Sequence, residues 1–341
     1  MRKGICMAIA FCFLFLFGCD EGKKTVVFPG KKIFVVNGLA ATLSTISYPT
    51  QIPKPGRVTN NVIHTGQAPN AIHFMGGKGY VVNSMDNQVQ IFDPDSGETL
   101  GEVDLGAGAN PWEIGFWEGS EKKAYVSNLL LNSVSVINLD NQAIEKNIEV
   151  GQAPEGILIT AGKVYVSNTG LNPSDYSYGD GTVSVINPDN DTVAKTIPVG
   201  KNPQALIIGP EGEIDVLCTG DYASVFGEIY VIDPGVDEVT TSFPVGGTPG
   251  VFALAPNGRV YLGGFGTGLY AYDTADNSVI YGATNPLLNG KDISGMAIDT
   301  DGLAYISNFG DDTVTVLDTN SDQVVAVIAV GDGPQALAIW K

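Results

Sequence analysis

The tetrapeptide Gly-x-x-Pro recurs along most of this chain, and its spacing restricts the fold more than any other feature. Copies stand at Gly66–Pro69, Gly108–Pro111, Gly151–Pro154, Gly200–Pro203, Gly246–Pro249 and Gly331–Pro334. A degenerate copy without proline lies around Ile293, inside the long gap before the last copy. The interval is about 44 residues, a period at which repeated units stack into solenoids or close into propellers.

Three further short apolar segments follow each copy in a fixed order. The first resembles Tyr-Val-x-Asn and occurs at Tyr80–Asn83, Tyr125–Asn128, Tyr165–Asn168 and Tyr305–Asn308, with weaker copies at Phe34–Asn37, Val216–Thr219 and Tyr261–Gly264. The next occurs at Val134–Asn138, Val183–Asn187, Ile229–Asp233 and Val314–Asp318. Val, Ile and Tyr favour strands, whereas the Asn, Asp and Gly between them favour turns. Four short strands per repeat are typical of a propeller blade.

The two ends of the chain indicate that the repeats close into a ring. The segment after the last proline, Gln335–Trp340, matches the first strand of a repeat, and nothing further follows it except Lys341. The N-terminal part supplies second, third and fourth strands at Ile33–Asn37, Leu43–Ser47 and Val58–Ile63. These strands complete one blade only if the ring closes, because an open solenoid would end in whole, capped repeats. We therefore predict an all-β, seven-bladed β-propeller with four antiparallel strands per blade.

These three motifs in fixed order resemble the YVTN-repeat β-propellers of bacteria and archaea, over residues 31–341. The resemblance implies the propeller fold and is much less informative about function, because the repeated residues are structural and propellers have many activities. The family includes surface-layer and periplasmic proteins, many of unknown role. A more distant similarity extends to haem- and quinone-enzyme propellers and to cobalamin-capturing surface lipoproteins.

The N-terminus has the pattern of a lipoprotein signal peptide. Arg2 and Lys3 precede an apolar run, Ile5–Phe17, that is shorter than the ~20 residues of a membrane span. The run ends in Leu16-Phe-Gly-Cys19, which resembles the lipobox of bacterial lipoproteins, with Phe17 bulkier than usual. We predict a signal peptide at 1–18, lipidation of Cys19, a tether at 19–30 and the propeller at 31–341. The alternative is an ordinary signal peptide with an incidental cysteine.

The predicted location is therefore the cell envelope, with the protein held on the periplasmic side of a membrane or at the cell surface.

The charge composition limits the kinds of partner that the protein can bind. The chain has 18 Lys and Arg against 37 Asp and Glu, a net charge of −19. Nucleic acid is excluded as a partner, because its binding requires clustered Lys and Arg. A neutral or cationic small molecule, or an envelope protein, suits this charge better.

Cofactor motifs are absent from the sequence, so we predict no cofactor and no metal. It has no Cys-x-x-Cys-His haem motif, zinc-spaced His/Cys cluster, phosphate loop or Gly-x-Ser-x-Gly elbow. Asp189–Asp191 and Gly310–Asp312 could bind calcium, but Asp and Asn also serve turn geometry at such places. Cys218, the one cysteine of the predicted propeller, is expected to replace a serine of the second strand and to be buried. We expect His73 to be a satisfied histidine between blades.

Departures from the repeat indicate the candidate site. Two loops between second and third strands are enlarged, Thr169–Gly181 and Gly220–Glu228, and they belong to consecutive blades. The residues after each proline should lie at the mouth of the central channel, and they are Asn70, Trp112, Glu155, Gln204, Gly250, Ser294 and Gln335. Aromatic side chains are favoured at recognition sites because they bury large areas at little entropic cost. The predicted ligand-binding residues are Trp112, Glu155, Asp175, Tyr176, Tyr178, Asp180, Asp221, Tyr222 and Phe226.

Three classes of function remain open at this point. A ligand- or protein-binding scaffold is favoured over an enzyme, because no nucleophile motif or cofactor signature is present. The alternative is a lyase, lactonase or dehydrogenase that uses Glu113 and Glu155 as acid–base groups. A structural surface-coat component is the third class, and in that case the loop differences are ordinary solvated variation.

The lipobox-like sequence gives the first testable prediction. The mature wild-type chain should begin at a lipid-modified Cys19 and fractionate with membranes, because several acyl chains on one residue anchor a protein stably. Intact-mass measurement of the wild type and membrane fractionation of Cys19→Ala check this, with Cys218→Ala as the matched cysteine control. A soluble, unmodified wild-type protein would contradict it.

Overall fold

The computed structural model describes residues 31–47, 57–119 and 122–340. Those residues form seven four-stranded antiparallel sheets, and the innermost strands of successive sheets pack side by side around a closed ring. The predicted all-β, seven-bladed propeller is therefore confirmed. The predicted signal peptide, Cys19 and the tether lie outside the described residues. No helix within the described ranges is long and apolar enough to cross a bilayer.

Each blade contains four strands, which are numbered in chain order. The innermost strands are β4 (Pro69–Met75), β8 (Pro111–Glu118), β12 (Pro154–Thr160), β18 (Pro203–Ile208), β22 (Val251–Leu254), β26 (Ile293–Ile298) and β30 (Pro334–Trp340). The second strands are β1 (Lys32–Asn37), β5 (Lys78–Asn83), β9 (Lys122–Asn128), β13 (Lys163–Asn168), β19 (Ile214–Cys218), β23 (Arg259–Gly264) and β27 (Leu303–Asn308).

The outer half of each blade is built in the same way. The third strands are β2 (Thr42–Ser47), β6 (Gln88–Phe92), β10 (Ser133–Asn138), β16 (Gly181–Asn187), β20 (Glu228–Asp233), β24 (Gly268–Asp273) and β28 (Thr313–Asp318). The outermost strands are β3 (Arg57–His64), β7 (Thr99–Asp104), β11 (Ala143–Glu149), β17 (Thr192–Val199), β21 (Glu238–Pro244), β25 (Ser278–Tyr281) and β29 (Gln323–Ala329). A small extra hairpin, β14 (Leu171–Asn172) with β15 (Ser177–Tyr178), lies in the first enlarged loop.

The ring closes through a blade that both ends of the chain share, as predicted. β30 pairs antiparallel with β1, with Ile339 opposite Ile33 and Leu337 opposite Val35. β30 also packs between β26 and β4, the inner strands of the last and first complete blades. Because every inner strand then has a neighbour on both sides, the ring leaves no inner strand uncovered.

The second strands carry the core of the molecule. Their residues are almost all buried, whereas the outermost strands alternate or are largely exposed. The largest fully buried side chains include the repeated Tyr125, Tyr165, Tyr261 and Tyr305. Their burial between neighbouring blades explains why Tyr begins the second-strand motif. A buried aromatic ring fills the widening space between two sheets and keeps its hydroxyl for a polar partner.

In four blades the repeated Asn of the second strand bonds to hydroxyl groups of the third strand. Asn37 Nδ2 donates to Thr42 Oγ1 at 3.0 Å and to Ser44 Oγ at 2.9 Å on the third strand, and Asn128, Asn168 and Asn308 do the same in their blades. The glycine of Gly-x-x-Pro lies against this amide. A Cβ on Gly331 would come within 2.4 Å of the Asn37 side chain, which explains why glycine recurs there.

A Tyr–Asp hydrogen bond joins neighbouring blades at the end of the strands opposite the Gly-x-x-Pro loops. Tyr125 OH donates to Asp191 Oδ1 at 2.6 Å, and Lys123 Nζ lies 2.9 Å from Asp191 Oδ2. Asp191 stands at a positive φ of 52° in the turn of the next blade, where Asp is tolerated. Tyr165 with Asp237 and Tyr261 with Asp322 repeat this contact. Asp191 of the Asp-rich turn thus has a structural role between blades.

The blade formed by β18 to β21, which we call blade four, departs from the repeat. The sequence register predicted for its second strand was wrong. Cys218 pairs with Pro203, the position that Asn83 takes opposite Pro69, so Cys218 replaces the repeated Asn and not a serine. Its side chain is buried and free, as expected. Asp215 consequently takes the place of the repeated Tyr. Tyr272 of the next blade donates a hydrogen bond to Asp215, which reverses the usual direction of the Tyr–Asp contact.

The shared blade gives the second prediction. Deleting residues 335–341 removes Leu337, Ile339 and Trp340, and Trp340 packs on Phe74 with ring centroids 5.0 Å apart. Each such side chain contributes roughly 1.5–3 kcal/mol through burial, whereas a domain has about 5–15 kcal/mol of unfolding free energy in total. The truncated protein should therefore melt at least about 10 °C lower or fail to fold. Thermal unfolding measures this, with deletion of Lys341 alone as the control, and equal melting temperatures would contradict it.

Candidate functional site

A cavity of about 480 Å³ opens at the centre of the ring, and all seven inner strands line it. Every residue that follows the repeated proline, or Ile293 in the degenerate copy, is part of its wall. They are Asn70, Trp112, Glu155, Gln204, Gly250, Ser294 and Gln335. These positions are equivalent in the backbone, and their side chains differ from blade to blade. The cavity wall is therefore set by residues that the repeat leaves free to vary.

Glu155 is the most unusual group in this wall. It is only 4% exposed, and its Oε2 has no hydrogen-bond partner among the described residues. Burial raises the pKa of its carboxyl to about 8. An unpartnered buried carboxyl costs free energy, because transfer from water is not compensated by a hydrogen bond. The cavity thus contains a buried carboxyl oxygen, Glu155 Oε2, to which no described residue makes a hydrogen bond.

Two tyrosines from the enlarged loops stand beside this carboxyl. The rings of Tyr178 and Tyr222 pack with their centroids 5.9 Å apart, so the loops of consecutive blades meet. Tyr222 also lines the cavity, where its hydroxyl accepts a hydrogen bond from Gln204 Nε2 at 3.1 Å. Burial, followed by the charges of Tyr222 and Glu155, raises the pKa of Tyr178 to about 12. Both hydroxyls are therefore protonated hydrogen-bonding groups at neutral pH.

Asn202 lies beneath the two tyrosines, and the sequence analysis did not identify it. Its side chain is fully buried, and neither Nδ2 nor Oδ1 makes a hydrogen bond of normal geometry. It nevertheless affects the pKa values of Tyr178 and Tyr222, which it lowers slightly against the larger effect of burial. Its backbone stands at a φ of 55°, a conformation in which Asn is enriched. An Asn at this position is explained by its backbone conformation, so nothing in the sequence indicates that its side chain is buried near the two tyrosines.

The remaining predicted site residues do not line the cavity. Asp175, Tyr176, Asp180 and Phe226 are exposed on the two enlarged loops. Asp221 Oδ1 accepts backbone N–H groups of Ala223, Ser224 and Val225, and these bonds hold the pKa of its carboxyl well below the usual range. Asp221 thus shapes its own loop. Trp112, Glu155 and Tyr222 line the cavity, whereas Tyr178 does not line it but packs against the ring of Tyr222.

A histidine–glutamate pair occupies another part of the wall. His73 Nε2 lies 2.7 Å from Glu113 Oε1, and both side chains are partly exposed to the cavity. Burial lowers the pKa of His73, but the Glu113 charge and hydrogen bond raise it above the usual value overall. His73 therefore has a partner between two blades, as expected. The partner was not foreseen, although Glu113 stands where most blades have Ala or Gly.

Phe265 is a further residue of the mouth that the sequence analysis missed. It lines the cavity from the loop after β23 and packs edge-to-face on Phe309 of the next blade, with centroids 5.5 Å apart. Both follow the second strand directly, and in other blades Leu39, Met85 and Leu130 lie two residues after the second strand. Within the part of the chain that the structure describes, no group of three or more His, Cys, Asp or Glu could hold a metal ion.

Comparisons with known proteins agree with this architecture. No family model and no curated protein matches the chain. Among solved structures, a chain of Kuenenia stuttgartiensis hydrazine synthase is 21% identical, with a TM-score of 0.67 over 79% of this chain and 88% of that one. A streptogramin B lyase is 10% identical, with a TM-score of 0.65 over 90% and 91%.

A protein of unknown function from Desulfotomaculum acetoxidans is similar over a larger share of its length. It is 13% identical, with a TM-score of 0.68 over 91% of this chain and 99% of that one. At such identities the likeness shows the fold alone. The class that fold and site define is thus a seven-bladed β-propeller with a central cavity open to one face.

The Glu155 carboxyl gives the third prediction. In the folded state the pKa of this carboxyl is about 8, whereas its usual pKa is 4.5. The unfolded chain therefore loses the proton at lower pH, and the free energy of unfolding falls as the pH rises from 4.5 to about 8. Glu155→Gln should therefore raise the unfolding free energy by on the order of 3 kcal/mol at pH 9 and by little at pH 4. The melting temperature should rise accordingly at pH 9. Thermal unfolding across this range measures the effect, with the exposed Glu102→Gln as control. A gain that does not depend on pH would contradict it.

Proposed function

We propose that the chain is a lipid-anchored β-propeller of the YVTN-repeat kind that works as a binding protein in the cell envelope. Its ligand site is the cavity mouth, formed by Trp112, Glu155, Tyr178 and Tyr222. The single observation that carries this proposal is the buried Glu155 Oε2, which faces the cavity without a partner. A protein that keeps such a group sacrifices stability for it, as functional sites commonly do.

The surroundings of Glu155 favour a ligand with an apolar body and a polar or cationic head. Trp112 and Tyr222 provide aromatic surface, while Gln204 and the Tyr222 hydroxyl provide hydrogen bonds. Aromatic faces attract cations, and an ionised Glu155 adds a charge partner in a site shielded from water. When protonated, the same carboxyl can instead donate a hydrogen bond to a neutral acceptor.

The envelope location rests on the N-terminal sequence. Leu16-Phe-Gly-Cys19 behind an apolar run supports a lipid anchor on Cys19. The first described residue, Lys31, is buried and binds Asp299 Oδ2 at 3.2 Å and Asp301 Oδ2 at 2.5 Å in the turn between β26 and β27. The chain is thus fixed to the propeller at this point, directly after the proposed tether at 19–30.

The proposed site gives the fourth prediction, with benzyltrimethylammonium as a probe whose charge does not change with pH. Its affinity should rise by about fivefold between pH 6 and pH 9, because Glu155 ionises in this range. Glu155→Gln should remove most of this pH dependence, and the remainder should come from His73 in the same cavity wall. Tyr222→Ala should weaken binding by about 1 kcal/mol or more at pH 9.

Titration followed by ligand-observed NMR measures these affinities, and neutral benzyl alcohol is the probe control. Tyr176→Ala is the matched protein control, because Tyr176 is exposed on the neighbouring loop and does not line the cavity. Binding that is unchanged in Glu155→Gln, or that has the same pH dependence for benzyl alcohol, would contradict the site.

A further inference from the structure

The loops between second and third strands expose a large apolar side chain in six of the seven blades. We take one residue from each of these blades, Leu39, Met85, Leu130, Tyr176, Tyr222 and Phe265, and call this set the apolar crown; Leu131 and Phe226 are exposed in the same loops. Their exposed fractions lie between 47% and 78%. In the seventh blade the equivalent Phe309 is half-buried against Phe265. All these loops lie at the face where the cavity opens, because they adjoin the Gly-x-x-Pro loops in every blade.

The opposite face of the ring does not share this property. In the described turns there, the exposed large apolar side chains are Val236 and, at the end of β18, Ile208. Most of these turns consist of Gly, Pro, Asp, Asn and Ser. Turn geometry alone therefore does not demand exposed apolar residues in this protein. A concentration of such residues on one face marks an interaction surface.

Charge around the crown narrows the kind of partner. Asp180, Asp292, Asp312 and Asp332 lie in the loops of this face and form what we call the acidic rim. Its lysines are engaged locally, since Lys201 Nζ donates to the Tyr178 carbonyl at 2.8 Å and Lys291 pairs with Asp311. An acidic rim repels a second copy of the same face and an anionic membrane surface. It attracts a basic segment.

Crown and cavity form one continuous surface, because Tyr222 and Phe265 belong to both. Protein interfaces concentrate their binding energy in a few apolar anchors in pockets, surrounded by a polar rim. A partner can therefore insert one apolar side chain into the cavity mouth while its flanking residues lie on the crown.

We propose that this face docks a protein segment in which aromatic or aliphatic residues alternate with lysine or arginine. The inference builds on the proposed binding function and adds the chemical class of a macromolecular partner. The apolar residues meet the crown and the cavity mouth, and the basic residues meet the acidic rim.

The test uses a defined probe peptide, acetyl-Lys-Trp-Lys-Trp-Lys-amide. It should bind at least about tenfold more tightly than two control peptides, one with Glu in place of Lys and one with Ser in place of Trp. Isothermal titration or fluorescence anisotropy of labelled peptides measures the affinities. Added salt should weaken binding, because the acidic rim is solvent-exposed.

Crown variants test the placement. The triple variant Leu39→Ser, Met85→Ser and Leu130→Ser should lose at least about tenfold in peptide affinity, although none of these residues lines the cavity. The triple variant Val236→Ser, Val324→Ser and Val327→Ser removes exposed apolar residues elsewhere and should bind normally. If the crown variant fails to fold, Asp180→Lys with Asp332→Lys tests the acidic rim instead and should also weaken binding.

The outcomes separate this inference from the proposed ligand site. Equal binding of the Ser or Glu control peptide, unchanged binding in the crown and rim variants, or crown-dependent dimerisation would overturn the docking surface. If the wild-type protein binds the peptide but shows no pH-dependent binding of benzyltrimethylammonium, the Glu155 site alone would be overturned. Peptide binding that follows crown and rim variants but not Glu155→Gln would support the docking surface independently.

Discussion

The buried amide of the second strand is the contact on which the rest of this propeller depends. In four blades, the amide of Asn37, Asn128, Asn168 or Asn308 bridges to hydroxyls on the third strand. Three of the Gly-x-x-Pro glycines, Gly66, Gly151 and Gly331, lie too close to such an amide for any side chain. In these blades the contact fixes the start of the first strand, and with it the residue that reaches the cavity. The blades with Cys218 or Gly264 in place of the Asn present Gln204 and Gly250 at the same position without this contact.

Repetition and function are separated along each blade as a result. The repeated Tyr, Asn, Gly and Pro are committed to packing and to contacts between strands or blades. The residues of the proposed site, such as Trp112 and Glu155, occupy positions that those contacts leave unconstrained. Blade four departs furthest, with Cys218 and Asp215 at repeated positions. The same blade supplies Gln204 and Tyr222 to the cavity.

The sequence predicted the ring, the shared blade and the meeting of the two enlarged loops, because all three follow from repeat order. It did not predict the His73–Glu113 pair, the buried Asn202 or the inward position of Phe265. These features depend on contacts between side chains of different blades. The repeat pattern predicts the backbone position of each residue but not which of these side chains come into contact. The slip at Cys218 has a similar cause, since a blade without the Asn has no marker of register. The exposure of Asp175 and Phe226 likewise follows from loop geometry that composition does not encode.

The position of Lys31 gives the molecule a direction. β1 runs from Lys32 toward the cavity-mouth face, which it reaches at Asn37, so Lys31 and its partners Asp299 and Asp301 lie at the rear face. The proposed tether of residues 19–30 spans at most about 40 Å even when fully extended. If Cys19 carries the proposed lipid, the anchored segment would join the propeller at its rear face, away from the cavity mouth. The proposed attachment point and the proposed binding site would then lie at opposite ends of the strands, so occupying one would not block the other.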